Sequence, residues 1–347
     1  MNLCPAPNSW SVPFRSTARH PVALVVGVLC SAALSSLLVL PAAVAAPRAD
    51  AGPESLVALG DSFASGPLVP VQHEQPLGCL RSSNNYSHQV SRELDLELTD
   101  VTCSGASTNH MWETHGVTPE AELSEYGSQL GYTGHPGNPP QLDALRGDTD
   151  IVTLQIGGND IGFGGLATTC GEGAISGPGC REAVAAEMPF DRITATASKI
   201  RAVLEDIHRR SPDAAIYVLG YSGIFKIGAT ASCAAMGVGE EDAQYLRSVQ
   251  EALNTMIQSV AEEAGRSYSD VTSYVDVYGP SAGHTACDLP VIRWVEPIVP
   301  VNAAAPVHPN LGGMTAIKDI LLEAVWPTGL PPRNTLPGLI APPDSPL

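Results

Sequence analysis

The chain has 347 residues, with 18 basic against 36 acidic side chains and a formal charge of −18 at neutral pH. That balance repels nucleic acid and anionic membranes at long range, which excludes polyanions as expected partners. Aromatic residues make up 5% of the chain, few for the stacking platforms that carbohydrate sites present.

Arg15 and Arg19 precede an almost wholly apolar run over 21–40, and Ala43-Val44-Ala45 offers a small-x-small cleavage site. Residues 1–45 therefore read as an export signal, with Ala46 as the first mature residue. The run approaches membrane-spanning length, but the polar Pro47-Arg48-Ala49-Asp50 after the site favours removal over a retained anchor. Removal takes two arginines and no acid, leaving 16 basic against 36 acidic residues and a formal charge of −20. We expect a secreted, monomeric protein with no stable membrane anchor once the signal is gone.

A short segment, 46–53, precedes one domain over 54–326, and a proline-rich flexible tail follows over 327–347. Apolar runs at 55–59, 98–103, 151–156, 214–219 and 271–277 read as strands, several closed by glycine. Helical spacing appears at 86–94, 193–209, 243–264 and 311–325. Strands alternating with helices predict an α/β fold, a parallel sheet with right-handed crossovers and helices on both faces. Ligands of such sheets bind outside the carboxyl ends of the strands.

Four motifs fall at that edge. Gly60-Asp61-Ser62 follows the first strand, Cys103-Ser104-Gly105 the second and Gly157-Gly158-Asn159-Asp160 the third, while His308-Pro309-Asn310 precedes the last helix. They supply a hydroxyl, a backbone donor at a residue without a side chain, an amide donor and an imidazole. An ester hydrolase needs that set of parts, because a serine is a poor nucleophile until a base takes its proton and the carbonyl oxygen needs fixed donors. Each motif alone is an ordinary turn. Among the other histidines, His208 beside Arg209 and Arg210 reads as solvated, and His284 is the one competitor to His308. Leu68, Val69, Phe163, Ile224, Phe225, Val291 and Trp294 fall in loops near this edge, where an acyl chain has apolar walls to pack on.

Cys79, Cys103, Cys170, Cys180, Cys233 and Cys287 remain after the signal, an even number that reads as disulfides in an exported chain, with the connectivity open. No Cys-x-x-Cys pair or recurrent histidine spacing suggests a metal, and the glycine loop lacks the G-x-G-x-x-G spacing of a dinucleotide site. No metal or organic cofactor is expected.

The ordered blocks, Gly60-Asp61-Ser62-Phe63-Ala64-Ser65-Gly66, Gly105, Gly157-Gly158-Asn159-Asp160 and His308-Pro309-Asn310, resemble those of the SGNH hydrolases, also called GDSL-like lipases and esterases. The resemblance spans essentially the whole domain. It implies a flavodoxin-like three-layer fold on five parallel strands, Ser62 as nucleophile, His308 as base, and an oxyanion hole from Ser62, Gly105 and Asn159. Similarity to the secreted bacterial branch with six cysteines implies the pairs Cys79–Cys103, Cys170–Cys180 and Cys233–Cys287. Where the family often places an aspartate three residues before the histidine, this chain has Ala305. Its backbone carbonyl, or that of its immediate neighbour, is the expected orienter of His308, with the carboxylate of Asp288 as the alternative. The expected function is hydrolysis of carboxylic esters, with a lipid or other ester substrate. Deacetylation of a carbohydrate, or a non-catalytic secreted binding protein on the same fold, are the alternatives.

Overall fold

Short runs rich in Leu, Val and Ile cannot bury both faces except between two layers of helix, and the chain builds that arrangement. The computed structural model describes residues 54–325 except 73–75, 117–136, 167–168, 171–179, 186, 228–232 and 269–270. The expected signal segment, the segment 46–53 and the proline-rich tail lie outside the described residues.

Strands β1 (Ser55–Gly60), β2 (Glu97–Asp100), β3 (Ile151–Gln155), β4 (Ala215–Leu219) and β5 (Thr272–Val275) form one sheet in the order β2-β1-β3-β4-β5. Every pairing is parallel, and β1 ends level with β3, Gly60 opposite Gln155. The helices include α1 (Ser62–Ser65), α2 (Tyr86–Leu94), α3 (Cys180–Ala185), α4 (Pro189–Arg210), α5 (Glu240–Ser267) and α6 (Leu311–Val325). Side chains of alternate strand residues feed two cores. Val57, Leu59, Val152 and Leu154 pack with Ile200, Leu204, Leu253 and Ile257 of α4 and α5, while Leu56 packs with Val90, Leu94, Met314 and Ile317 of α2 and α6. This is the expected three-layer α/β fold.

Boundaries shift where local chemistry overrides periodicity. The expected second strand runs to residue 103, but the regular strand ends at Asp100, whose Oδ1 accepts both the N–H and the hydroxyl of Thr102 (3.0 and 2.6 Å). The Cys103 N–H still donates to the Gly60 carbonyl at 3.0 Å. Helix α4 begins four residues earlier than the apolar spacing indicates, with Pro189 in its first turn, where a missing N–H costs nothing. His208 is a correction. It is buried, bonded through Nε2 to Thr272 Oγ1 at 2.8 Å and stacked on Tyr268.

Two of the implied disulfides are described, Cys79–Cys103 and Cys233–Cys287, closing separations of 24 and 54 residues. The side chain of Cys180 lies outside the described residues. Among the described residues no helix is long and apolar enough to cross a membrane. Loops of these lengths restrict the unfolded chain by about 3 to 4 kcal/mol each. Reduction should therefore lower the melting temperature by about 10 °C or more. Calorimetry showing the same transition with and without reductant would refute that contribution.

Candidate active site

The carboxyl end of β1 turns sharply into α1. Gly60 has φ +154°, and a Cβ there would lie 2.6 Å from the Gln155 carbonyl oxygen and 2.8 Å from Ala64 Cβ, so no larger residue fits. Gln141 clamps this residue from the side, its Oε1 accepting the Gly60 N–H at 2.7 Å and its Nε2 donating to the Gly60 carbonyl at 2.9 Å. Asp61 caps α1, its Oδ1 accepting the Phe63 N–H at 3.0 Å. Ser62 is thereby fixed as the first residue of α1, nearly buried at the sheet edge.

The second carboxylate oxygen of Asp61 accepts the Tyr221 hydroxyl at 2.6 Å, and that hydroxyl accepts the Gly158 N–H at 2.8 Å. One buried relay thus joins the ends of β1, β4 and β3. Desolvation raises the Asp61 pKa to about 7, against the hydrogen bonds from Tyr221 and Phe63 that lower it.

Gly105 follows β2 in a left-handed conformation, φ +79°, which glycine adopts without steric cost. Its segment is tied to the Asn159 loop twice. Asn159 Nδ2 donates to the Ala106 carbonyl at 2.8 Å, and Asp160 accepts the N–H and hydroxyl of Thr108 at 2.9 and 2.5 Å. The structure therefore brings Gly105 and Asn159 together. Ser65 Oγ lies 3.0 Å from Ser104 Oγ, which joins the same segment to α1. Among the described residues the N–H groups of Ser62 and Gly105 have no acceptor, and the exposed Asn159 amide keeps a second hydrogen beyond its bond to Ala106.

His308 comes to the same edge from the loop before α6. Its ring lies beside that of Phe63, with centroids 5.4 Å apart, one residue from Ser62. The backbone between them is also joined, the Ala305 N–H donating to the Pro67 carbonyl at 2.9 Å. His308 Nδ1 stands 2.7 Å from the Pro306 carbonyl oxygen. A carbonyl only accepts, so Nδ1 carries the proton and Nε2 presents a lone pair. Burial lowers the His308 pKa from its ordinary value, and the Pro306 carbonyl partly offsets this.

Of the expected orienters, the immediate neighbour of Ala305 presents its carbonyl to the ring, while Ala305 itself and Asp288 do not. The Ala305 carbonyl accepts the backbone N–H of His308 at 3.2 Å, not the ring, because the tight turn puts the ring one residue further on, over Pro306. Asp288 is engaged elsewhere, its Oδ2 accepting the Thr285 N–H and hydroxyl at 2.9 and 2.7 Å. The competitor His284 stacks on Trp294 with centroids 4.4 Å apart and bonds through Nδ1 to the Ile292 carbonyl. Of the expected apolar walls, Val69, Ile224 and Phe225 are core residues, and Val291 faces solvent.

A residue that motif reasoning missed holds the histidine loop. Glu296 is fully buried, and its carboxylate accepts from Val301 N, Asn302 N, Asn302 Nδ2 and Asn310 Nδ2 at 2.6 to 3.1 Å. Desolvation pushes its pKa up, but these donors outweigh it and hold the carboxyl below its ordinary value. Its backbone pairs with the loop as well, through Glu296 N to His308 O at 2.9 Å and Val307 N to Glu296 O at 3.1 Å. The available signal was the one acid of a largely apolar stretch whose only other charge is Arg293. Glu296→Gln turns an amide against buried donors, and we expect a loss of about 1 to 3 kcal/mol in urea unfolding. A midpoint equal to that of the parent would show the carboxylate to be dispensable.

The sequence of residues 58–316 matches the GDSL-like Lipase/Acylhydrolase family. The chain is 34% identical over 275 residues to Lipase 2 of Streptomyces coelicolor, covering 78% of this chain and 85% of that protein. It is 28% identical over 303 residues to a lipase of Streptomyces rimosus, covering 82% and 94%. In fold it is similar to the crystal structure of phospholipase A1 from Streptomyces albidoflavus NA297, with TM-score 0.60, 22% identity, and 78% and 98% of the two chains covered. The chain therefore belongs to the GDSL-like lipase/acylhydrolase family and is a carboxylic ester hydrolase.

Proposed function

We propose that the protein is an exported serine hydrolase of lipid esters, with Ser62 as nucleophile and His308 as general base. The observation that carries this reading is the tautomer of His308. Its Nδ1 proton is committed to the Pro306 carbonyl, and the ring stands beside Phe63, one residue from the serine. The Nε2 lone pair takes the Ser62 proton as Oγ attacks the ester carbonyl. Charge developing on the carbonyl oxygen is met by the N–H groups of Ser62 and Gly105 and the amide of Asn159. The imidazolium then protonates the leaving alcohol, and water returns through the same base to release the acid from Ser62.

The Pro306 carbonyl fixes the imidazole in the productive tautomer, a positioning role that needs no carboxylate. The lipid reading is supported by three curated relatives named as lipases, beside one named as an esterase. Export is supported by the leader pattern over 1–45 and by the two disulfides. Cys170 is itself disulfide-bonded, which supports Cys180 as its partner.

A panel of p-nitrophenyl esters from acetyl to palmitoyl, run beside phosphatidylcholine and acetylated xylan, tests the substrate class. Preference for long acyl groups and the phospholipid is expected, whereas turnover of acetyl groups alone would make the enzyme a carbohydrate esterase. Ser62→Ala should fold normally and lose turnover on every member by at least about three decades. The pH profile tests the base. Protonation of His308 abolishes its role, so kcat/KM should fall as pH decreases. Because burial lowers its pKa, the midpoint of that acid limb should lie below 6.5. A midpoint at or above that value would argue for another base.

A further inference from the structure

The loop that carries the histidine has an inverted surface. Between 289 and 301 the only charged residues are Arg293 and Glu296, and both are buried. Arg293 donates inward to the Asp288 carbonyl at 2.7 Å, and Glu296 is enclosed by its four donors. The outward positions are apolar: Leu289 is 67% exposed, Val291 88%, Ile292 44%, Ile298 41%, Val299 75% and Val301 67%. Soluble surfaces scatter such residues singly, and six within thirteen positions of one loop mark a contact surface.

We infer that this apolar rim is a docking surface for the neutral or zwitterionic surface of a lipid aggregate, a proposal that rests on the lipid-ester reading of the site. Three observations select that occupant. The rim is continuous with the site, because Glu296 N bonds to the His308 carbonyl and Val295 pairs with Pro309. Insertion of the rim would therefore bring the lipid headgroup plane to the mouth of the crevice. The patch exposes no charged side chain of its own, on a chain with twice as many acidic as basic residues. An anionic surface would be repelled and a neutral one tolerated. Buried beneath the rim, the Glu296 hydrogen bonds hold the loop in shape, so that docking need not order a flexible segment first. Binding of this kind scales with the apolar area taken from water.

The test uses the full mature chain carrying Ser62→Ala, so that vesicles remain intact, and phosphatidylcholine vesicles as the probe. Sedimentation should show partitioning of this protein, and Leu289→Asn/Val299→Asn should weaken it at least about tenfold. Both positions are well exposed, so the melting temperature should stay within about 2 °C. In the active background the same pair should lower turnover of phosphatidylcholine vesicles tenfold or more. Its kcat/KM on dissolved p-nitrophenyl butyrate should stay within about twofold of the parent. Equal partitioning of parent and variant, or none by the parent, overturns the proposal. So does a parent dimer in sedimentation velocity that the substitutions dissociate, since a second copy then covers the rim. Vesicle binding is read without turnover, so an enzyme restricted to acetylated carbohydrate would fail the lipid reading in the ester panel and not in this assay.

Discussion

The buried carboxyl of Asp61 is the point at which three strand ends are joined. Its two oxygens hold the Phe63 N–H and the Tyr221 hydroxyl, and Tyr221 in turn holds the Gly158 N–H. Without the first bond the chain has no reason to enter α1 directly after Gly60, and Ser62 loses its place. Without the second, the loop after β3 that carries Asn159 is no longer registered against the loop after β1. A carboxyl this deeply desolvated is costly to ionise, which is why its pKa rises to about 7. The hydrogen bonds partly compensate, and they are the reason the charge is tolerated so close to the candidate nucleophile.

That relay acts on a framework the sheet has already arranged. In the order β2-β1-β3-β4-β5 the chain leaves β1 toward one edge and β3 toward the other. The two connections part and leave a crevice at the carboxyl ends of β1 and β3, the switch point at which such folds bind ligands. Gly60 opposite Gln155 places the serine turn there. The Asn159–Ala106 and Asp160–Thr108 bonds bring the segment after β2 to the same opening.

Much of this was legible in the residues. The five strands stand where apolar runs are bounded by turns, and α6 begins and ends where its spacing predicts. Three of the four site motifs were legible because each lies within a few residues of a strand end, where position along the chain nearly determines position in space, and the fourth, at His308, stands just before α6. The unread parts depend on long-range partners. Tyr221 and Gln141 lie 160 and 81 residues from the residues they hold, and nothing in their neighbours advertises it. His208 looked solvated because two arginines follow it, yet its own ring turns inward to Thr272 and Tyr268. Which of the expected carbonyls faces the ring, Ala305 or its neighbour Pro306, was not legible, because ring direction in a tight turn follows from dihedral angles and not from spacing.

A carbonyl orienter also suits the electrostatics of this edge. A carboxylate against Nδ1 would stabilise the imidazolium and raise the histidine pKa, whereas a carbonyl dipole fixes the tautomer with a weaker pull. Burial then prevails, and the His308 pKa falls. Asp61, Asp160 and Glu296 do lie in the loops that frame the site, but all three are engaged by other donors. Glu296 in particular shapes the histidine loop through its hydrogen bonds, without a contact to the ring. The same inward turn of the only charges in that loop leaves its outer face to Leu289, Val291 and Val299. Two buried charges, Arg293 and Glu296, thus leave the rim apolar, and the carboxylate also ties down the loop that carries the imidazole.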